Sequence, residues 1–490
     1  MLEKSNISNK EIITTIILFV SILFTFQYLV SQFSDDNINN NAYAESAELI
    51  GNTSGNNAPT IDIFNLTTGY TIEPIVWNLT APDSITFDDA GNMYIGEAGY
   101  PFTNIPVVPR ILKMEPNGNL SVFVDNKLNS PIVDIAFHDG LIYVSHRGKI
   151  STINTTNGQI DDLIIGLHQN GDHGNNQIAF SPDGKRFFFG TGSATNSGVV
   201  GGDNFRWYSS IPGVPDVPAK DVTLAGHNFE TSNLLTAEKN DNATTGAFVP
   251  FNTPTTPGQV VKGQLKCTSC ILSANLDGTD LKLVGWGLRN PSGLAFNEDG
   301  RLFAANHGAD ERGSRPIAND NDQLFEIKLN ETAFYGWPDF LGNGEPVTDA
   351  KFQIKNLPPL QFVMQNHPPL EKPLVLLEPV HTAVIQMAFG NKSFGFDGEA
   401  FVAQIGSHAP PPGTTVGQNV VHVNIDNKTV SDFISLKNPT TLFRPTDIEF
   451  NKEGTAMYIV DWGNLREPGP GDTIPNSGIV WKVTPTTATK

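Results

Sequence analysis

The chain has 490 residues, and 31 Lys and Arg against 51 Asp and Glu give it a formal net charge of −20. So acidic a surface releases no counterions from a phosphate backbone, which excludes nucleic acid as a partner. Charged residues make up only 17%, Gly (45) and Pro (34) are frequent, and short alternating apolar runs replace helical stripes, so an all-β fold is expected.

Residues 1–33 are expected to be a signal peptide or a membrane anchor. Ile12 to Val30 is a nearly unbroken apolar run behind Lys4 and Lys10, and the small-residue site Ala42-Tyr43-Ala44 follows it. Its length suits spanning and its flanks suit cleavage, so both alternatives stay open; either places the rest of the chain outside the cytoplasm. Residues 34–69 are polar and Asn-rich and read as a disordered linker. Residues 70–490 read as one folded domain.

Within that domain one hairpin recurs. Copies begin at Pro82, Pro131, Gly174, Pro291, Ala383 and Pro445, each an apolar strand ending in Phe, a Gly-containing turn and a second apolar strand with a polar exit. A second hairpin, turning on Asn-Gly, Asp-Gly or Asp-Asn, follows the copies at Arg110, Gly148, Cys270 and Asn419, the strongest short-range hairpin signal. Asp322 to Pro338 is expected to be the irregular second hairpin of the fourth unit. Two hairpins make a four-stranded sheet, and six such units predict a six-bladed β-propeller with long loops on one face. The sixth unit lacks a last strand, and the alternating run Tyr70 to Leu79 is expected to supply it, so that no long sheet edge stays open. Cys267 and Cys270 read as a local disulfide.

In a propeller the residues leading into each inner strand and those leaving the next strand meet at one rim. That rule gathers His173, Arg289, Asn290, His381 and Arg444 with Glu97, His146, Ser193, His307, His408, Asp461 and Trp462. The two longest insertions, Ala194 to Lys266 and Tyr335 to Val380, leave from the same rim, where propellers keep binding chemistry. Glu97 and Asp461 are the obvious carboxylates there, too few for the acidic metal cluster of a lactonase. The run Asp310-Glu311-Arg312 reads equally as a solvated salt-bridge patch or a functional group.

At GDHGNNQIAF (from Gly171) and GLRNPSGLAF (from Gly287), with NDNDQLFEI, YGWPDF, HTAVIQMAF and FRPTDI, the chain resembles the glucose/sorbosone dehydrogenase family, and its HTA, GS and RP pattern is closer to the sorbosone-type branch. The resemblance covers Pro82 to Val483. It implies a quinoprotein sugar dehydrogenase that uses pyrroloquinoline quinone (PQQ) with calcium, a small sugar substrate and an external electron acceptor. It implies that His173 is the general base, that Arg289 stabilises charge on the reduced cofactor, and that Asn290, His307 and Arg444 contact the cofactor. It also implies that Gly308 and Ala309 offer carbonyls to calcium. The chain departs from the family in having Ser193 where an Asp orients the catalytic histidine, and Thr446 where a second arginine stands. Those departures favour the alternative of a non-catalytic surface propeller that binds glycans or proteins.

Overall fold

The computed structural model describes residues 58–486, apart from 100–106, 210–214, 237, 239–240, 407–415, 439–442 and 465–472. The apolar run Ile12 to Val30 and His408 therefore lie outside the described residues. Among the described residues, no helix is long and apolar enough to cross a membrane.

Each recurring hairpin is formed. Pro82–Phe87, Ile132–His138, Asn175–Phe180, Pro291–Phe296, Val384–Phe389 and Pro445–Phe450 each pair antiparallel with the strand that follows. Each pair is the start of a sheet of four or five strands, and six such sheets occur among the described residues. The turns follow from sequence: Asn297-Glu298-Asp299-Gly300 closes its hairpin because Gly300 takes φ +78°, a conformation that costs other residues a steric clash.

Strand alternation builds the core between sheets. Phe187 and Phe189 pack towards Tyr143 of the second sheet, while Phe188 points the other way, towards Leu294, Leu302 and Phe325 of the fourth. Phe303 and Ala305 continue to Val384, Met387 and Val402 of the fifth sheet, which packs through Phe401 and Ala403 on Ile459 and Trp481 of the sixth. Val460 and Val480 of the sixth sheet meet Ile85, Ile95 and Leu112 of the first. The sheets thus pack in a closed cycle, a β-propeller-like arrangement. Fully burying a side chain of this kind stabilises by about 1.5–3 kcal/mol.

Polar side chains on the inner strands stitch neighbours together. Ser84 Oγ accepts from Ile135 N at 3.0 Å, Asp134 from Ile178 N at 2.7 Å, Gln177 from Leu294 N at 2.8 Å and Asp447 from Ile85 N at 2.8 Å. Each bond occupies a backbone N–H of an inner strand, which is the edge of its sheet and has no further strand to pair with on that side.

The run Tyr70–Leu79 pairs antiparallel with Gly478–Pro485 and completes the sixth sheet, as expected. Two expectations need correcting. Phe64–Leu66, assigned from sequence to the linker, pairs with Thr429–Leu436 as an edge strand and buries Phe64 against Phe443 and Trp481. The fourth sheet takes its outer strand from Val375–Leu377, near the end of the second insertion, rather than from the residues directly after Asp322–Ile327. Ala333–Phe334 instead runs parallel to Lys282–Trp286 on the third sheet, because Phe334 buries against Trp286.

The two insertions are knitted together. Val222–Leu224 of the first pairs with both Val260–Val261 and Met364–Gln365 of the second. Arg315, fully buried, donates to Asp339 at 2.9 Å and to the carbonyls of Ser197, Pro338 and Gln361. Cys267 and Cys270 are joined in a disulfide, as the sequence suggests.

Candidate active site

The residues that lead into the inner strands converge as the repeats predict. His173, Arg289, Asn290, His307, Gly308 and Arg444 all line one cavity of about 720 Å³. His381 and Trp462 line it too, whereas Glu97, His146, Ser193 and Asp461 do not. His146 is buried against Ser151, whose hydroxyl in turn donates to Asp162. Glu97 pairs with Arg110, and Asp461 accepts from the backbone of Arg444 and the indole of Trp481. These groups brace the sheets.

Two strands bring His173 and Asn290 together across Gly192. A side chain at Gly192 would place its Cβ 2.2 Å from Asn290 Oδ1 and 2.4 Å from His173 Cβ; only glycine permits that approach. Nδ1 of His173 lies 3.1 Å from the Ser193 carbonyl. A carbonyl can only accept, so Nδ1 carries the hydrogen and Nε2 keeps the free lone pair. Enclosure by protein, with the positive charges of Arg289, His307 and Arg312, holds the His173 pKa well below that of an ordinary histidine, against the pull of the Ser193 carbonyl. The ring meets His307 edge to face at 5.6 Å, and His307 is itself anchored to the Val384 carbonyl.

Arg289 is almost fully buried, and each of its three nitrogens donates to the protein. It donates to Asn196 O at 3.0 Å, Asn196 Oδ1 at 3.1 Å, Gly308 O at 2.7 Å and Asp310 at 3.0 Å. Burial alone would raise Asp310, but Arg289, His381 and Arg312 hold it well below the carboxylate range. Arg312 also grips Asp172 at 2.8 Å and Asp203 at 2.7 Å. The run Asp310-Glu311-Arg312 therefore supplies a structured ion network at the cavity wall. The carboxylates of this wall, Asp172, Asp203, Asp310, Asp320 and Asp322, lie outside the rim rule, which follows only the residues next to each inner hairpin; Asp322 instead opens the third strand of its sheet.

Arg444 is different. It is 5% exposed; among the described residues its Nε has no hydrogen-bond partner and Nη1 reaches only the Ile405 carbonyl at 3.3 Å. Burial lowers its pKa, opposed by Asp461.

No family model matches the chain, and no curated protein sequence matches it. Solved structures do. The PQQ domain of pyranose dehydrogenase from Coprinopsis cinerea, in its holo form, superposes with a TM-score of 0.56 at 18% identity, over 88% of this chain and 100% of that one. A Trichoderma reesei carbohydrate-active enzyme of family AA12 gives 0.53 at 17% identity, over 89% of this chain and 100% of that one. The PQQ-bound aldose sugar dehydrogenase from Streptomyces coelicolor gives 0.50 at 15% identity, over 86% and 99%. The chain has the fold of the PQQ-type sugar dehydrogenases.

Within that quinoprotein fold, the residues present fit one of the two expected groups. PQQ is a tricarboxylate, and Arg444, a cavity-lining guanidinium whose protein hydrogen bonds are sparse, is suited to an anion. Calcium fits poorly. It takes about six to eight oxygen ligands, yet the Gly308 carbonyl is already held by Arg289, and Ala309 is fully buried among Ile317, Leu341 and Phe352, away from the cavity. Asp320 and Asp322 are spent on backbone N–H groups of Ala309, Gly342, Gly308 and Val384. Among the described residues, no group of three or more His, Cys, Asp or Glu is placed to hold a metal. The expected roles of Gly308 and Ala309 as calcium ligands are therefore not carried further.

Proposed function

We propose that the chain is a six-bladed propeller dehydrogenase acting outside the cytoplasm, which oxidises a sugar or sugar aldehyde with PQQ and passes the electrons to an external acceptor. The observation that carries this reading is the one cavity shared by a neutral, oriented His173 and the sparsely bonded guanidinium of Arg444. PQQ, when bound, supplies the acceptor for the substrate hydride. Arg444 would hold one of its carboxylates, and the cavity's apolar lining, including Val133, Ala383 and Ile385, suits a flat ring system. His173 takes the substrate hydroxyl proton at Nε2, while the Ser193 carbonyl holds Nδ1–H. Arg289, spent on protein partners, contributes a fixed positive charge that keeps His173 neutral and favours negative charge developing nearby. Export rests on residues 1–33, as signal or anchor, and the Cys267–Cys270 bridge suits an oxidising compartment.

The test is dye reduction by purified protein given PQQ, with and without calcium, across a panel of aldoses. Turnover that needs PQQ and is lost in His173→Ala is expected. Absence of turnover and of any PQQ-dependent absorbance change would sink the reading. The engagement of every Arg289 nitrogen by protein favours a second reading, a propeller that binds glycans without turnover. Glycan binding retained in His173→Ala, with no oxidation by the wild type, would select it.

A further inference from the structure

The carbonyl that orients His173 belongs to the peptide between Ser193 and Ala194. The other end of that same peptide, Ala194 N–H, donates to Asp216 Oδ1 at 2.7 Å. Asp216 is 1% exposed and comes from the first insertion. It also accepts from Thr195 Oγ1 at 2.5 Å and from Thr268 Oγ1 at 2.9 Å. Thr268 sits between the bridged Cys267 and Cys270, and it is further tied to the backbone of Val217. Ser193 Oγ donates to Thr195 O at 2.6 Å, and Ser193 N to Arg289 O at 2.7 Å, which fixes the remaining freedom of the segment.

We propose that Asp216 is the positioning carboxylate of His173, acting through the 193–194 peptide rather than by direct contact. This inference rests on the reading of His173 as the base. A carboxylate bonded to the N–H end of a peptide polarises its carbonyl end, and hydrogen bonds in such a chain strengthen one another. The Ser193 carbonyl then accepts more strongly from Nδ1–H, which fixes the tautomer and steadies the imidazolium formed when Nε2 takes a proton. The position where the resemblance leads one to expect a carboxylate beside the imidazole is filled by Ser193; the negative charge lies one peptide further away. Burial pushes Asp216 up to about 6, against the bonds from Thr195, Ala194 and Thr268 that hold it down, so it is ionised in an assay at pH 8. Deleting a positioning group of this kind lowers turnover on the order of tenfold.

The experiment pairs kinetics with ¹⁵N-histidine NMR at pH 8, on the full chain loaded with PQQ, in wild type, Asp216→Asn, Thr195→Val and Thr195→Ser. Asp216→Asn is expected to lower kcat with KM within twofold and to move the His173 resonances from a single Nδ1-protonated form towards a tautomer mixture. Thr195→Val should do the same to a smaller extent, and Thr195→Ser, which keeps the hydroxyl, should restore both. Wild-type kcat and an unmoved His173 signal in Asp216→Asn overturn the proposal. If that variant does not fold, equal behaviour of Thr195→Val and Thr195→Ser overturns it instead. A wild type that oxidises no sugar, while its His173 tautomer still follows Asp216, refutes the dehydrogenase reading and leaves the positioning intact.

Discussion

Gly192 lies against His173 so closely that a Cβ added there would sit 2.4 Å from the Cβ of the histidine. The contact is between two backbone-proximal atoms, so neither side can yield by rotating a side chain. Gly192→Ala is expected to displace His173 and Asn290 together and to lower kcat on the order of a hundredfold, the usual cost of an ångström-scale misplacement. Turnover with saturating sugar measures it, and a fall smaller than threefold would contradict the geometry.

Arg444 gives a prediction that needs no turnover. Its buried Nε lacks a partner, so an anion bound there stabilises the folded chain by mass action. PQQ should raise the Tm of the wild type, by about 2.7 kcal/mol of stability at a hundredfold excess over Kd. In Arg444→Met that increment should largely vanish, while the ligand-free variant is at least as stable as wild type. Thermal melts with and without PQQ check both halves.

The acid limb of activity should lie lower than histidine usually sets it. Burial and three neighbouring cations depress His173, so the neutral base persists as pH falls through 6.5 and is lost only below that. The sign for stability is the same: a depressed folded pKa contributes stability that is present above the unfolded value and lost as pH falls. A kcat profile with an acidic midpoint at or above 6.5 would show that His173 is not the titrating base.

The inner strands carry the opposite dependence. Burial raises Asp134 and Asp447, the latter further by the charge of Asp134, to about 7 and about 8. Groups raised on folding contribute stability that is fully present below the unfolded value of about 4 and lost as pH rises through those folded values. The Tm should therefore fall as pH rises from about 4 to about 8 and level off above, by up to roughly 1.4 kcal/mol of stability per pH unit for each proton the folded chain retains. Asp447→Asn should flatten that slope in melts across the same range.

Much of the fold was legible because its turns are chemical. Gly-containing turns between apolar runs mark the inner hairpins, and period-two alternation assigns Tyr70–Leu79 to a sheet that closes far along the chain. Val375–Leu377 could not be found that way: it is three residues long, follows Pro373, and has no turn linking it to Asp322–Ile327. The site was legible where residues lead directly into strands, as His173, Arg289, Asn290 and Arg444 do. Ala309 shows the limit. It adjoins Gly308 in sequence, but one step along the backbone turns it from the cavity into an apolar cluster. Asp216, Asp172 and Asp203 find their partners far away in sequence, and no local pattern announces them.

The pairing of Tyr70–Leu79 with Gly478–Pro485 also bears on how the protein is made. Thr71 and Thr484 face each other although 413 positions separate them, so the first strand of the closing sheet waits through nearly the whole of synthesis for its partner. Contacts so distant in sequence form late and slowly. Until they form, the newborn chain carries an unpaired strand edge and an open apolar seam, the surfaces through which unfinished chains aggregate. The cavity, lined from Asp83 and Val133 through Asn176, Ser292 and Ile385 to Thr446, is complete only after that seam has shut.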